Sequence, residues 1–164
     1  DIILAEAQHY LVWLEQPKSW KNPWKLHQIG HTRPDLIIGI TAVDLNQDGR
    51  KDLVTGGYSR GPRDHDGDMK PSDALGRISW FEQPEDASEQ WIRHDISRRK
   101  RGMFDKYEAR DLDKDGDMDL VSTRGNSLPY DGVFWLEQVR SREPMVRFTR
   151  ARKTDSEEMI LPLD

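Results

Sequence analysis

Hydrophobic and β-branched residues occur along the chain in short runs that alternate with polar positions, and turn-forming residues separate the runs. Such runs predict half-buried β-strands. We predict two consecutive sets of four strands, at about 38–43, 53–57, 77–82 and 91–96, and then at 104–110, 120–123, 132–137 and 145–149. No stretch has a sustained helical period. The pattern therefore predicts an all-β protein.

Several phrases recur along the chain, and those of the first two units are 67 residues apart, which indicates internal repeats. Trp-Leu-Glu-Gln or Trp-Phe-Glu-Gln occurs at 13–16, 80–83 and 135–138. Trp24-Lys-Leu-His27 is echoed by Trp91-Ile-Arg-His94, again 67 residues later. The chain thus divides into units of approximately 1–36, 37–103 and 104–158.

Sets of four hairpin-linked strands with one aromatic phrase per set are typical of propeller blades. By this count the chain is a single partial β-propeller domain, 1–164, of about two and a half to three four-stranded antiparallel blades. Asp1-Ile-Ile-Leu aligns with Asp52-Leu-Val-Thr and Asp119-Leu-Val-Ser. Propellers usually close with about four to eight blades. We therefore expect the partner to be the remainder of a larger propeller or a second copy of the chain.

Two acidic segments, at 44–52 and 111–119, occupy equivalent places in the repeats and share the pattern D-x-[DN]-x-D-G-x-x-D. This spacing brings alternate oxygen ligands and one backbone carbonyl around a hard cation, and the glycine makes the sharp turn. We predict a Ca²⁺ site in each segment. The ligands at positions 1, 3, 5, 7 and 9, of which position 7 contributes its carbonyl, are Asp44, Asn46, Asp48, Arg50 and Asp52, and Asp111, Asp113, Asp115, Asp117 and Asp119.

Two alternatives compete with this interpretation. An EF-hand loop opens in the same way but places a bidentate Glu at position 12 between two helices. Position 12 is Thr55 or Ser122 here, and β-prone residues follow the ninth position. The EF-hand interpretation therefore fails. The other alternative, an acidic turn that binds nothing, is weakened by the two copies in register.

The composition of the chain argues against several classes of function. The chain is 35% hydrophobic and 34% charged, with a net charge of −5. A negative protein is a poor ligand for nucleic acid, because phosphate neutralisation needs clustered positive charge. There is no cysteine, which excludes disulfides, and no apolar run long enough to insert into a membrane.

The acidic loops and the two tryptophan phrases together resemble the FG-GAP/VCBS-like repeat family of bacterial secreted proteins, over nearly the whole chain. The resemblance implies calcium loops between the first two strands of a blade, within a seven- or eight-bladed propeller. It also implies an extracellular, cell-surface or periplasmic location, with any export signal outside this chain. Asn46 departs from the family's aspartate and should weaken the first site. Val139 and Phe148 are further departures, in the third unit.

Residues repeated once per unit are expected to be structural. We expect the recurring tryptophans to pack between neighbouring blades and the two histidines to serve blade packing or turn bonding: Trp13, Trp24, Trp80, Trp91, Trp135, His27 and His94. Specific binding groups are sought where the repeat is broken, because function concentrates on loops held by rigid strands. The candidates for a sugar or anionic glycan ligand, on an insertion near 58–75 and a matching loop at 124–131, are Arg60, Arg63, His65, Asn126 and Tyr130.

Two functions are consistent with these observations. The first is a non-catalytic, calcium-stabilised propeller segment that acts as a binding or interaction scaffold for carbohydrate or another protein. The second is part of a carbohydrate-active propeller enzyme of the polysaccharide lyase or sugar dehydratase type. No catalytic residue is assigned, because nothing in the sequence singles out two acidic groups that face each other.

Overall fold

The computed structural model describes residues 1–33, 35–58, 78–97, 103–125 and 132–140, and in these residues it contains β-strands and no helix. The all-β prediction is thereby confirmed for this part of the chain. The strands are β1 Ile2–Glu6, β2 Tyr10–Glu15, β3 Lys25–His31, β4 Leu36–Val43, β5 Asp52–Tyr58, β6 Ile78–Glu82, β7 Ile92–Ser97, β8 Tyr107–Arg110, β9 Asp119–Arg124 and β10 Gly132–Leu136. None of the described residues forms a helix long and apolar enough to cross a bilayer.

The strands form three antiparallel sheets, each with its strands in chain order. We call them the first sheet (β1–β3), the second sheet (β4–β7) and the third sheet (β8–β10). The second sheet contains all four strands predicted for its unit. The strand predicted at 145–149 lies outside the described residues.

One hydrogen bond is repeated in all three sheets and confirms the alignment of the repeats. In each sheet a backbone amide of the Trp-x-Glu-Gln phrase donates to Oδ1 of the aspartate that starts or precedes the neighbouring strand. The pairs are Gln16 with Asp1 (2.8 Å), Gln83 with Asp52 (2.9 Å) and Gln138 with Asp119 (3.0 Å). Asp1 thus has the same place in its sheet as the ninth residue of each acidic segment.

The core consists of two hydrophobic clusters, one between each pair of successive sheets. Leu11 and Ile29 of the first sheet pack with Phe81 of the second sheet in one cluster. Val54 of the second sheet and Leu120 of the third pack in the other cluster. Burial of these side chains removes apolar surface from water, which is the main favourable contribution to folding.

Each well-preserved unit contains a tryptophan, a histidine and a glutamate in contact. Trp13 faces His27 across neighbouring strands, and the rings stack with centroids 4.3 Å apart. His27 Nε2 lies 2.8 Å from an oxygen of Glu15. Trp80 and His94 repeat the stack at 4.4 Å. The structural role predicted for both histidines is therefore confirmed.

The packing predicted for the tryptophans holds for three of the five. Trp13, Trp80 and Trp91 pack in the clusters between sheets. It stays a prediction for Trp24 and Trp135, which are 43% and 48% exposed. They belong to the first and third sheets, and no further sheet of the described residues covers them.

The strand predicted to start at residue 104 begins only at Tyr107, because the preceding residues cross the face of the second sheet instead. Phe104 is fully buried, and its amide donates to the Gly57 carbonyl. A Cβ on Gly56 would lie 2.0 Å from the Phe104 carbonyl oxygen, and one on Gly39 would lie 2.2 Å from that of Asp105. The two glycines therefore allow this close crossing.

We expect Gly56→Ala to destabilise the protein by about 1–3 kcal/mol, the usual cost of overpacking a closely packed site. Gly125→Ala is the matched control, because its Cβ would meet only the Met103 side chain at 3.5 Å. Urea unfolding of both variants measures the difference. Equal stability of the two variants would contradict this account of the crossing.

Candidate metal centre

The two acidic segments form equivalent loops, one between β4 and β5 and the other between β8 and β9. Position 4 has a positive φ in both, 62° at Gln47 and 69° at Lys114. The glycine at position 6 does too, with φ of 88° at Gly49 and 100° at Gly116. A side chain at position 6 would be strained in this conformation. The predicted sharp turn is present in both loops.

The loops also share two internal hydrogen bonds. The amide at position 5 donates to the side-chain oxygen at position 3, at 3.1 Å in both loops. The amide at position 7 donates to Oδ1 at position 5, at 2.8 Å in the first loop and 3.0 Å in the second. Side chains at alternate positions are thereby turned toward the inside of the loop.

In the second loop three carboxylates converge. Asp111, Asp113 and Asp115 each offer one oxygen, and these oxygens lie within 4.8 Å of one another. All three residues are exposed. Like charges at this separation repel one another. Oxygen donors alone, several of them carboxylates, are the ligands that Ca²⁺ prefers. The donor set therefore fits a calcium ion.

Asp117 adds a fourth negative group beside these three. Its side chain is buried, Oδ1 has no hydrogen-bond partner, and Oδ2 lies 3.7 Å from Arg140 Nε. Burial, and next the charge of Asp115, raise the pKa of the Asp117 carboxyl. From the sequence, only the Asp117 carbonyl was predicted as a ligand, and the side chain was not. The sequence feature that could have indicated this side chain is the aspartate at position 7 of the second loop, where the first loop has Arg50.

The ninth residue of each loop is buried and anchors the loop to its sheet. Oδ2 of Asp52 accepts the Leu45 amide at 3.1 Å, and Oδ2 of Asp119 accepts the Leu112 amide at 2.9 Å. Oδ1 of each accepts the glutamine amide described above. Burial raises the pKa of the Asp52 carboxyl despite these bonds. Binding of a metal by Asp52 and Asp119 stays a prediction.

The first loop differs from the second because protein donors occupy its carboxylates. The guanidinium of Arg50 pairs with Asp48, and its Nε donates to the Gln83 carbonyl at 3.0 Å. The side-chain amide of Asn46 donates to Asp48 at 3.0 Å. The backbone amide of Arg50 is the main cause of the lowered pKa of Asp48. A cation at this loop must compete with these donors.

The two loops touch each other across the boundary between the second and third sheets. Arg140 donates to the Leu45 carbonyl at 2.9 Å and to the Gln47 side chain at 3.1 Å. The side-chain amide of Gln47 donates to the Gly116 carbonyl. Arg140 therefore contacts the first loop and also lies near Asp117 in the second.

The candidate ligand-binding residues lie outside the described part of the chain: Arg60, Arg63, His65, Asn126 and Tyr130. Comparison of the chain with protein-family models, with curated proteins and with solved structures found no match. The candidate metal centre therefore stands on its own geometry.

The anchoring and ligand roles can be separated by mutation. We expect Asp119→Ala to lower stability by about 2 kcal/mol, even in excess chelator, because two backbone amides lose their hydrogen bonds to a buried carboxylate. Asp115→Ala removes one of the repelling carboxylates and should not lower stability by that amount under the same conditions. Urea unfolding in chelator makes the comparison. An equal loss in both variants would contradict the anchoring role.

A second prediction follows from the raised pKa of Asp117. A carboxyl whose pKa is higher in the folded state contributes stability below its unfolded pKa, about 3.9, and this contribution is lost as the pH rises through the folded value. In chelator, Asp117→Asn should therefore be more stable than the parent protein at pH 7.

The control is Asp86→Asn, because hydrogen bonding from Ser88 lowers the pKa of Asp86. Its contribution has the opposite sign, so this variant should be no more stable than the parent at pH 7. Unfolding at pH 4 and pH 7 measures both variants. Destabilisation at pH 7 by Asp117→Asn would contradict the assignment of Asp117 as an uncompensated buried charge.

Proposed function

We propose that this chain is a calcium-stabilised β-sheet repeat module that acts as a non-catalytic binding or interaction scaffold. The observation that carries the proposal is the convergence of Asp111, Asp113 and Asp115 beside the buried, partly unpartnered carboxylate of Asp117. A divalent cation at this point offsets their mutual repulsion. It also holds the β8–β9 connection in the conformation that its internal hydrogen bonds favour.

The loop geometry supports a finer proposal about the type of module. Two loops of the same conformation, in successive sheets packed face to face, are consistent with calcium-loop propeller blades of the FG-GAP/VCBS type. Extracellular calcium modules bind with dissociation constants of about 10⁻⁴–10⁻³ M. Sites of this affinity are filled where calcium is abundant, which supports an exported, extracellular, cell-surface or periplasmic location.

The described polar groups support a scaffold because their contacts are structural. His27 and His94 stack on tryptophans and bond to glutamates. Asp52 and Asp119 accept backbone amides. These groups are the same from one repeat to the next, whereas a catalytic constellation usually requires different groups in defined roles. Carbohydrate or another protein is the ligand class proposed for the scaffold.

Removal of calcium tests the proposed function. A ligand that binds only the folded state stabilises it by RT ln(1 + [L]/Kd). At free calcium ten times the dissociation constant, this is about 1.4 kcal/mol. We expect the melting temperature to rise with calcium, to fall back in excess chelator, and to respond much less to magnesium.

Asp115→Ala should abolish this calcium response. Asp86→Ala is the matched control, because Asp86 is an exposed aspartate between β6 and β7, outside both acidic loops, and its carboxylate bonds to Ser88. Asp86→Ala should therefore keep the full calcium response. A melting temperature that does not change between calcium and chelator in the parent protein would contradict the proposal.

A further inference from the structure

Successive sheets pack against each other by one repeated contact. We call the surface of a sheet that meets the following sheet its back face, and the surface that meets the preceding sheet its front face. The back face of the first sheet contributes Leu11 and Trp13, and the front face of the second contributes Leu53 and Phe81. These side chains form the first cluster, and Leu11, Leu53 and Phe81 are almost completely buried.

The contact between the second and third sheets repeats this arrangement. The back face of the second sheet contributes Ile78 and Trp80, which occupy the repeat positions of Leu11 and Trp13. The front face of the third sheet contributes Leu120, which occupies the position of Leu53. The chain therefore contains the same back-to-front contact twice.

The first sheet has an equivalent front face, but it is open. Ile2, Leu14 and Leu26 lie directly opposite one another on β1, β2 and β3. In the second sheet the equivalent row begins with Leu53 and Phe81, directly opposite each other. Leu53 is 2% exposed, whereas Ile2 is 47% and Leu26 is 55% exposed.

Trp24 belongs to the same open front face. It occupies the repeat position of Trp91, which is 6% exposed in the cluster between the first two sheets and whose amide donates to the Ile29 carbonyl. Trp24 is 43% exposed. Trp91 thus joins the second sheet to the first, whereas Trp24 has no equivalent contact among the described residues.

The third sheet has an open back face. Val133 and Trp135 occupy the repeat positions of Ile78 and Trp80. Ile78 is 1% exposed, whereas Val133 is 77% and Trp135 is 48% exposed. Trp135 lies opposite Val121, as Trp80 lies opposite Val54. The back face of the third sheet is therefore equivalent to the back face of the second sheet, but no sheet of the described residues packs against it.

We propose that these two open faces bind each other between copies of this chain, the back face of the third sheet of one copy against the front face of the first sheet of a second copy. Within the chain, each back face that has a following sheet is covered by the front face of that sheet. The open back face and the open front face are equivalent to these two surfaces. A second copy therefore supplies the matching surface. Such a head-to-tail contact is heterologous, and it forms a closed ring when the rotation between copies permits. This proposal does not depend on calcium binding.

Two charge substitutions test the proposal, one on each face. Trp24→Arg places a charge on the front face of the first sheet, and Val133→Arg places one on the back face of the third sheet. Ile92→Arg is the matched control, because Ile92 is 60% exposed on the second sheet, away from both open faces. Sedimentation velocity between about 1 and 200 μM measures association, a range that spans the micromolar affinities of interfaces of modest size. Circular dichroism checks that each variant is folded.

We expect the parent protein and Ile92→Arg to associate as the concentration rises, and each of the two face variants alone to remain monomeric. An equimolar mixture of the two face variants should form a heterodimer, because one supplies an intact front face and the other an intact back face. A monomeric parent protein would overturn the proposal and assign the faces to another occupant, such as further sheets of a longer protein. Association that either face variant retains, or a mixture that stays monomeric, would also overturn it.

Discussion

The structure depends on a buried aspartate that holds two segments together in the second repeat and again in the third. Asp52 and Asp119 each accept one amide from their own loop and one from the glutamine of the Trp-x-Glu-Gln phrase. Buried amides without an acceptor are costly, so this arrangement fixes both the loop and the third strand of the set. The same bond to Asp1 shows that the contact between this aspartate and the glutamine also occurs in the first sheet.

The anchored loop brings negatively charged side chains close together, and a bound cation would offset their repulsion. Once the ninth residue is turned into the sheet, the glycine turn directs the earlier acidic side chains toward one another. In the first loop, Arg50 and Asn46 donate to Asp48 and relieve part of the repulsion. The second loop has no equivalent of either donor at these positions, and Asp117 adds a buried charge whose Oδ2 lies 3.7 Å from Arg140 Nε. The demand for a metal ion is therefore greater in the second loop.

Much of this arrangement could be predicted from the sequence because it repeats. The alternating runs located seven of the ten strands, β4 to β10, to within a few residues, and the aspartate spacing located both loops; β1, β2 and β3 were not given bounds. The first part of the predicted strand at 104–110 was wrong, because contact with Gly56 and Gly39 decides the path there. The exposure of Trp24 and the burial of the Asp117 side chain depend on which surfaces meet, and spacing alone does not encode this.

The central claim is that the carboxylates of the second loop hold a calcium ion. A crystal structure of the protein grown with calcium tests this claim most directly. We predict an ion at about 2.3–2.6 Å from oxygens of Asp111, Asp113 and Asp115, with the left-handed conformation of Lys114 and Gly116 retained. Carboxylates that point away from one another in saturating calcium, with no ion between them, would contradict it.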